Sequence, residues 1–206
     1  MRKALFVPIA MCLIPFGASG VDGTVLINQS TVMAAGGFPY MITQPGSYRL
    51  SGNLQAPVNT SAIVITGVYV TLDLNGFTIN CSANTGTTTI CVSDYDPIRN
   101  FGGAGRITIA NGVISANTPP IAPGVTITAI KMFTGHGSTV RDMLIEAFNN
   151  GNILGDAINI FGSCALRRNT IRGNVAVGPV SLVIENVLVA APNAGGSSLV
   201  LNNAIP

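Results

Sequence analysis

One eight-residue pattern occurs six times in this chain and decides its fold. Three copies near the C-terminus share aliphatic third and eighth positions and an asparagine at the sixth: CALRRNTI (164–171), SLVIENVL (181–188) and SLVLNNAI (198–205). Three earlier segments align with them without gaps: LDLNGFTI (72–79), ITIANGVI (107–114) and STVRDMLI (138–145). Such regular self-similarity indicates a repeat architecture, in which each unit buries its apolar positions against the next one.

The residue types within and around these units predict short strands joined by tight turns. Runs of Val, Ile, Leu and Thr alternate with Gly and Asn, and helical periodicity is nearly absent. A second strand is predicted before some units, where a small residue precedes an aliphatic one, as in Ala62-Ile63, Ala129-Ile130 and Ala157-Ile158. Like positions would stack at about 4.8 Å and form parallel sheets. The sequence therefore predicts an all-β parallel β-helix of six or more rungs, with an antiparallel sandwich as the alternative.

The columns of the aligned units assign roles to individual positions. One core column is predicted to hold Leu74, Ile109, Val140, Leu166, Val183 and Val200. The asparagines at 169, 186 and 203 are expected to hydrogen-bond along the stack, because asparagine tolerates the backbone of such turns. The spacing between units shortens along the chain, which predicts inserted loops at 81–104 and 115–124 in the early coils.

Three segments near the N-terminus carry a resemblance to a known family. PGSYRLSGNL (45–54), AIVITG (62–67) and VTLDLNGFTI (70–79) resemble the first rungs of bacterial exported right-handed β-helix repeat proteins, within the pectin-lyase-like superfamily. The resemblance covers roughly residues 37–205 and implies a right-handed coil. That superfamily contains polysaccharide lyases, glycoside hydrolases, esterases, tailspikes and adhesins, so the resemblance indicates a fold and no single activity.

The N-terminus is predicted to be a signal peptide. Residues 1–20 combine basic Arg2 and Lys3, an apolar run too short to span a bilayer, and small residues before a predicted cleavage after Gly20. We expect a secreted, periplasmic or cell-surface protein without a membrane span after cleavage. Residues 21–46 are predicted to lead into or cap the β-helix, and residues 47–206 to form it. The sequence stops one residue past a unit, which suggests a truncated chain, a partner or self-stacking of copies through an uncapped last rung.

Composition argues against a nucleic-acid partner. Charged residues make up 9% of the chain and the formal net charge is +2. Removing Arg2 and Lys3 with the signal peptide would leave eight basic against eight acidic residues. Because binding to a phosphate backbone calls for a basic face, nucleic acid is an unsuitable partner.

Export makes disulfides possible, and the spacing of the cysteines predicts one. Cys81 and Cys91 bracket a short polar stretch, and a bridge between them would add about 2–3 kcal/mol of stability. Cys164 is then the odd thiol, which we interpret as a small buried apolar residue rather than a nucleophile.

Charged residues fall into columns when the units are aligned. Asp142, Arg168 and Glu185 share one column, and Glu146 lies above Arg172, so both read as ion-pair ladders. Arg141 lies above Arg167, and because two stacked cations repel each other, an anion or a carboxylate is expected between them. Arg141, Arg167 and Arg168 are therefore candidate ligand-binding residues. Asp142 and Glu185 are weak catalytic candidates, because Arg168 between them would keep both ionised and a separation of about 10 Å exceeds what glycosidases use.

Two further groups of residues are weaker candidates. His136 is the only histidine, and Gly135-His136-Gly137 resembles an element of polygalacturonases whose Asp-Asp and Arg-Ile-Lys elements are missing here. Asp94 and Asp96 could bind Ca²⁺ weakly and Tyr95 could stack on a sugar, although a solvated turn before Pro97 is the simpler interpretation. No other cofactor or metal is predicted.

These observations predict an exported β-helix module without an evident catalytic constellation that binds a glycan or a surface or serves a structural role. The alternative is a polysaccharide lyase or glycoside hydrolase with a site near Arg141, Asp142, Arg167 and Arg168. A polysaccharide is the partner that both hypotheses favour.

Overall fold

The protein folds almost entirely into strands. The computed structural model describes residues 23–84, 88–96, 101–102, 105–118, 125–133, 136–149, 153–188, 193–194 and 199–204. The first sheet stacks eight parallel strands in this order: β1 (Val25–Ile27), β3 (Gly46–Leu50), β6 (Val70–Asp73), β11 (Thr108–Asn117), β13 (Ser138–Asn149), β16 (Cys164–Arg167), β19 (Leu182–Ile184) and β22 (Leu199–Leu201). The second sheet stacks seven: β2 (Tyr40–Ile42), β5 (Ile63–Ile65), β8 (Thr88–Ser93), β12 (Thr126–Met132), β15 (Asp156–Ile160), β18 (Asn174–Val177) and β21 (Asn193–Ala194).

A third row of strands lies between the two sheets along the chain. It contains the second halves of β11 and β13 together with β4 (Leu54–Gln55), β7 (Thr78–Ser82), β17 (Thr170–Arg172) and β20 (Val187–Leu188). The two antiparallel pairs among the described residues are β9 (Tyr95–Asp96) with β10 (Phe101–Gly102), and β14 (Ile153–Leu154) with the end of β13. Each coil thus passes through the first sheet, the third row and the second sheet, so the predicted parallel β-helix is confirmed. The general rule for crossovers between parallel strands predicts a right-handed coil.

Aliphatic columns fill the interior. In the first sheet Ile109, Val140, Leu166 and Val183 lie in register, and none is exposed. The last positions of the repeats form a second column in the third row: Ile79, Ile114, Ile145, Ile171 and Leu188. In the second sheet the predicted column of Ile63, Ile130 and Ile158 is confirmed, with Val92 between the first two. Removing these side chains from water drives the stacking of coils.

The gapless alignment is wrong in the earliest unit. Ile109 pairs with Leu72 and not with Leu74, whereas Ile114 still pairs with Ile79. The turn after β6 is therefore two residues longer than the turn in the next coil. Leu74 is fully buried, and its side chain occupies the space that a side chain at position 112 would need. A Cβ atom on Gly112 would lie 2.4 Å from the Cβ atom of Leu74. Glycine at 112 makes room for the longer turn above it.

The prediction of an inserted loop over 81–104 is also wrong for much of its length. Residues Thr88–Ser93 form β8, an inner strand of the second sheet. In this strand the small residue followed by an aliphatic one is Cys91-Val92, so a search of the sequence for Ala-Ile pairs does not find the strand. Within 115–124, Ser115–Asn117 continue β11, so that prediction is wrong there too.

The asparagine column behaves as predicted. Asn186 Oδ1 accepts hydrogen bonds from the backbone N–H and Nδ2 of Asn169, at 3.0 and 2.9 Å. Asn203 Oδ1 accepts the same pair from Asn186, at 2.9 and 3.0 Å. Asn169 and Asn186 are buried, so each amide satisfies backbone groups that water cannot reach at the turn.

The first coil uses a helix instead of a third-row strand. Helix α1 (Gln29–Ala34) begins at Asn28, whose side chain accepts a hydrogen bond from the Thr31 N–H, and Val32 is buried in the core. The Gln29 side-chain amide bonds to both the N–H and the C=O of Gln55 in β4. A side chain thereby satisfies backbone groups of β4 that a neighbouring strand would otherwise pair.

Candidate functional site

The predicted charged column lies on the turns between the first sheet and the third row. Asp142, Arg168 and Glu185 all have left-handed backbones, with φ of 58°, 52° and 55°. The register of β13 with β16 and of β16 with β19 stacks these turns one above another. The fold therefore brings together residues that lie 26 and 17 positions apart in sequence.

Asp142 is held by two arginines. Its carboxylate accepts hydrogen bonds from Arg168 Nε at 2.7 Å and Nη2 at 3.0 Å, and from Arg141 Nη1 at 2.7 Å. The hydrogen bond from Arg168 is the main cause that lowers the pKa of Asp142, and the bond from Arg141 adds to it. A general acid needs a raised pKa, so this environment opposes a role for Asp142 as a proton donor.

The remaining members of the charged group are less engaged. Glu185 is exposed and makes no ion pair with Arg168 within 4.0 Å, although its charge helps to raise the pKa of that arginine after the larger effect of Asp142. The predicted pair of Arg172 and Glu146 is confirmed, at 3.1 Å.

Arg141 and Arg167 are direct neighbours on the outer face of the first sheet. Arg141 bonds to Asp142, which also bonds to Arg168, so the carboxylate that was expected between the two stacked arginines contacts only one of them. Arg167 is exposed and makes no ion pair with any described residue.

Two other predicted site residues, His136 and Asp94, do not join this group. His136 is exposed in the turn before β13, and its carbonyl accepts the N–H of Arg106. Asp94 is fully buried, and its Oδ1 accepts the Phe133 N–H at 2.6 Å, so the interpretation of a solvated turn is wrong for Asp94. The side chains of Tyr95 and Asp96 lie outside the described residues.

An aromatic pair with one exposed ring lies at the corner where the second sheet ends, and neither of its residues was predicted as a site residue from the sequence. The rings of Phe133 and Phe161 are stacked, with centroids 5.7 Å apart and planes 22° apart. Lys131 Nζ lies 5.0 Å from the centroid of Phe133 and 6.0 Å from that of Phe161. Phe161 is 55% exposed. We call Lys131, Phe133 and Phe161 the aromatic corner.

The signal for this corner was present in the sequence. AIKMF (129–133) and AINIF (157–161) place a phenylalanine three residues after the aliphatic member of each small-aliphatic pair. Extending the alignment of the second sheet by three residues would have stacked the two rings.

A shallow depression of about 200 Å³ lies on the first sheet, and Thr139, Ser163, Ala165 and Val180 are among its lining residues. Cys164 also lines it but is 6% exposed, and burial raises the pKa of its thiol to about 11. This environment disfavours the thiolate, as expected for a packing residue.

In the part of the chain that the structure describes, we find neither a group of residues that could hold a metal ion nor a helix that could span a membrane. No three or more His, Cys, Asp or Glu residues come together there in a way that could hold a metal ion. The described helix, α1, has six residues, and none there is long and apolar enough for a membrane span.

In comparisons with known proteins, no family model, no curated protein and no solved structure matches the chain.

Proposed function

We propose that this protein is an exported, non-catalytic β-helix module that binds a glycan through the aromatic corner. The observation that carries the proposal is the stack of a partly exposed Phe133 and an exposed Phe161 beside Lys131. A sugar ring has an apolar C–H face that packs on an aromatic ring, and hydroxyl groups that a nearby ammonium can bind.

The proposal excludes catalysis because of the surroundings and the spacing of the two carboxylates in the charged column. Asp142 is kept ionised by two guanidinium groups, and Glu185 lies two coils away, at about 10 Å. An inverting glycosidase uses about 6.5–9.5 Å and needs one protonated carboxyl group. The described residues thus favour binding over the glycoside hydrolase alternative.

Export is supported by two features. The bond between Cys81 and Cys91 is typical of an oxidising compartment, and residues 1–20, which lie outside the described residues, read as a signal peptide. The proposed binding uses no metal or cofactor.

The test pairs a glycan array with assays for new reducing ends and for unsaturated products. We expect the purified protein to bind at least one glycan class and to release no product from any. Phe161→Ala should weaken binding at least tenfold, since it removes half of the stacked pair.

Val58→Ala is the matched control, because Val58 is 51% exposed but lies away from the corner, between β4 and β5. It should leave binding unchanged. Turnover of any glycan, or equal losses in the two variants, would refute the proposal.

A further inference from the structure

The aromatic corner continues into the arginine pair along two adjacent coils. On one coil Phe133 is followed by β13, whose outer face carries Thr139 and Arg141. On the next coil Phe161 is followed by β16, whose outer face carries Ala165 and Arg167. These residues lie side by side, because Thr139 pairs with Ala165 and Arg141 with Arg167.

We call the surface that runs from the aromatic corner to Arg141 and Arg167 the track. The depression lies between its two ends. It covers Ser163, Thr139 and Ala165 and so lies between the phenylalanines and the arginines. Two residues along a strand span about 7 Å, so Arg167 lies about 13 Å from Ser163. A ligand of several sugar units could therefore contact both ends, with small side chains beneath its middle.

Charge distinguishes the arginine end from the rest of its column. Along the outer face of the first sheet this column runs Arg49, Asp73, Ala110, Arg141, Arg167, Ile184 and Leu201. Arg49 has Asp73 beside it, at 3.3 Å. Arg141 and Arg167 instead have Ala110 and Ile184 as their outer neighbours, and neither can neutralise them.

The nearest carboxylate does not neutralise the arginine pair. Asp142 accepts hydrogen bonds from both Arg141 and Arg168, so one negative charge serves two cations before Arg167 is counted. Like charges directly opposite each other on neighbouring strands are destabilising. An oxyanion placed over the pair would remove that repulsion, and planar guanidinium groups bind oxyanions with two parallel hydrogen bonds.

We infer that the glycan carries an oxyanion substituent, a carboxylate or a sulfate ester, which Arg141 and Arg167 bind while the aromatic corner holds a sugar ring. The inference rests on the proposed function and deepens it by naming the chemical class of the ligand.

The experiment measures binding of the full protein to dextran, carboxymethyl dextran and dextran sulfate of equal chain length, at 150 mM salt, where nonspecific attraction is screened. We expect both charged polymers to bind at least tenfold more tightly than dextran. Arg167→Ala should remove most of that preference and leave the affinity for dextran unchanged. Phe161→Ala should weaken binding of all three polymers.

Two further variants separate a site from general charge attraction. Ile184→Glu places a carboxylate beside Arg167 in the column and should also remove the preference. Arg49→Ala removes one positive charge from the same face but away from the track, and should retain the preference. The melting temperature of Arg167→Ala should not fall, because its nearest column neighbour is a like charge.

The outcomes that overturn the inference are distinct from those that overturn the proposed function. Equal affinity for neutral and charged dextran refutes the oxyanion site but leaves glycan binding intact. If Arg49→Ala and Arg167→Ala lose the preference for charged dextran equally, net charge alone attracts the polymers and the inference is refuted. Binding of none of the three polymers refutes the inference, and the glycan array then decides the proposed function separately. Inorganic sulfate that binds as tightly as dextran sulfate would show an isolated ion site and refute the extended track.

Discussion

At the scale of single residues, charged side chains occupy turn positions that usually suit asparagine or glycine. Asn75, Asn111 and Asn202 have left-handed backbones at the corresponding turns of other coils, whereas Asp142 and Arg168 take that conformation here. A side chain other than glycine or asparagine in this region is uncommon and persists where its surroundings compensate. Hydrogen bonds join Asp142 and Arg168 at these positions, whereas Glu185 takes the same conformation in the next coil without an ion pair to any described residue.

The first prediction concerns the pH dependence of this pair. Asp142→Asn should lower the free energy of unfolding at pH 7 by less than about 1 kcal/mol, since the ion pairs are partly exposed. Asparagine tolerates a left-handed backbone, so the loss reports the charge. Because folding lowers the pKa of Asp142, its contribution is present above the ordinary value of 3.8 and is lost as the pH falls through the folded value.

Urea unfolding at pH 7, 5 and 3 checks this expectation. The difference between the wild-type protein and Asp142→Asn should be equal at pH 7 and 5 and should shrink only below 3.8. A difference that disappears between pH 7 and 5 would contradict the lowered pKa.

At the scale of elements, one turn of unusual length determines the register of two coils. The turn between β6 and β7 is longer than the corresponding turn within β11, and Leu74 fills the added space. The close approach of Leu74 and the Phe77 carbonyl excludes any side chain at Gly112. The glycine therefore reflects contact with the neighbouring coil and not conformational freedom.

The second prediction follows from this contact. Gly112→Ala would put a Cβ atom 2.4 Å from Leu74 Cβ and 2.7 Å from the Phe77 carbonyl oxygen. Because backbone must shift to relieve the clash, we expect a loss of about 1–3 kcal/mol in the free energy of unfolding. Gly52→Ala is the control, since its nearest contact would be 3.4 Å and its stability should change much less. Denaturant unfolding of both variants measures the difference, and equal stability would show that the two coils can separate without cost.

At the scale of the whole molecule, each coil contacts only its neighbours, so the stability of a solenoid is close to a sum of local terms. The bond between Cys81 and Cys91 ties the third row to the second sheet across a loop of ten residues, and both cysteines are buried. β8, which contains Cys91, leads directly into Asp94, whose carboxylate holds the backbone of Phe133 at the aromatic corner. The disulfide thus stabilises the coil that supports the proposed binding surface.

The third prediction tests this support. Replacing Cys81 and Cys91 together by alanine should lower the free energy of unfolding by about 2–3 kcal/mol, because the unfolded chain regains the entropy of the closed loop. Cys164→Ala is the control, since it removes a buried sulfur without opening a cross-link, and it should cost less. Thermal and denaturant unfolding measure both, and a double variant as stable as Cys164→Ala would contradict the prediction.

The sequence predicted the charged residues on the turns but not the aromatic corner. The charged columns at 141–142 and 167–168 were predicted correctly because the turns of those two coils have equal length. Residues at the same position of the repeat therefore stack on each other in the structure. Phe133 and Phe161 were missed because the second sheet was matched only as far as its small-aliphatic pairs. The contact from Asp94 to Phe133 spans 39 residues, and no local pattern predicts it.

Periodicity by itself determined the parallel β-helix, the asparagine column and most of the core, because stacked coils repeat the same local environment and select the same residue types. Only the tertiary structure decided the register of the early coils and the burial of Asp94. The physical reason is that these features depend on turn length and on contacts between coils, and neither leaves a periodic mark in the sequence. The two extra residues around Leu74 are accommodated within their turn, because Ile79 still pairs with Ile114, and along the chain they look like ordinary sequence variation.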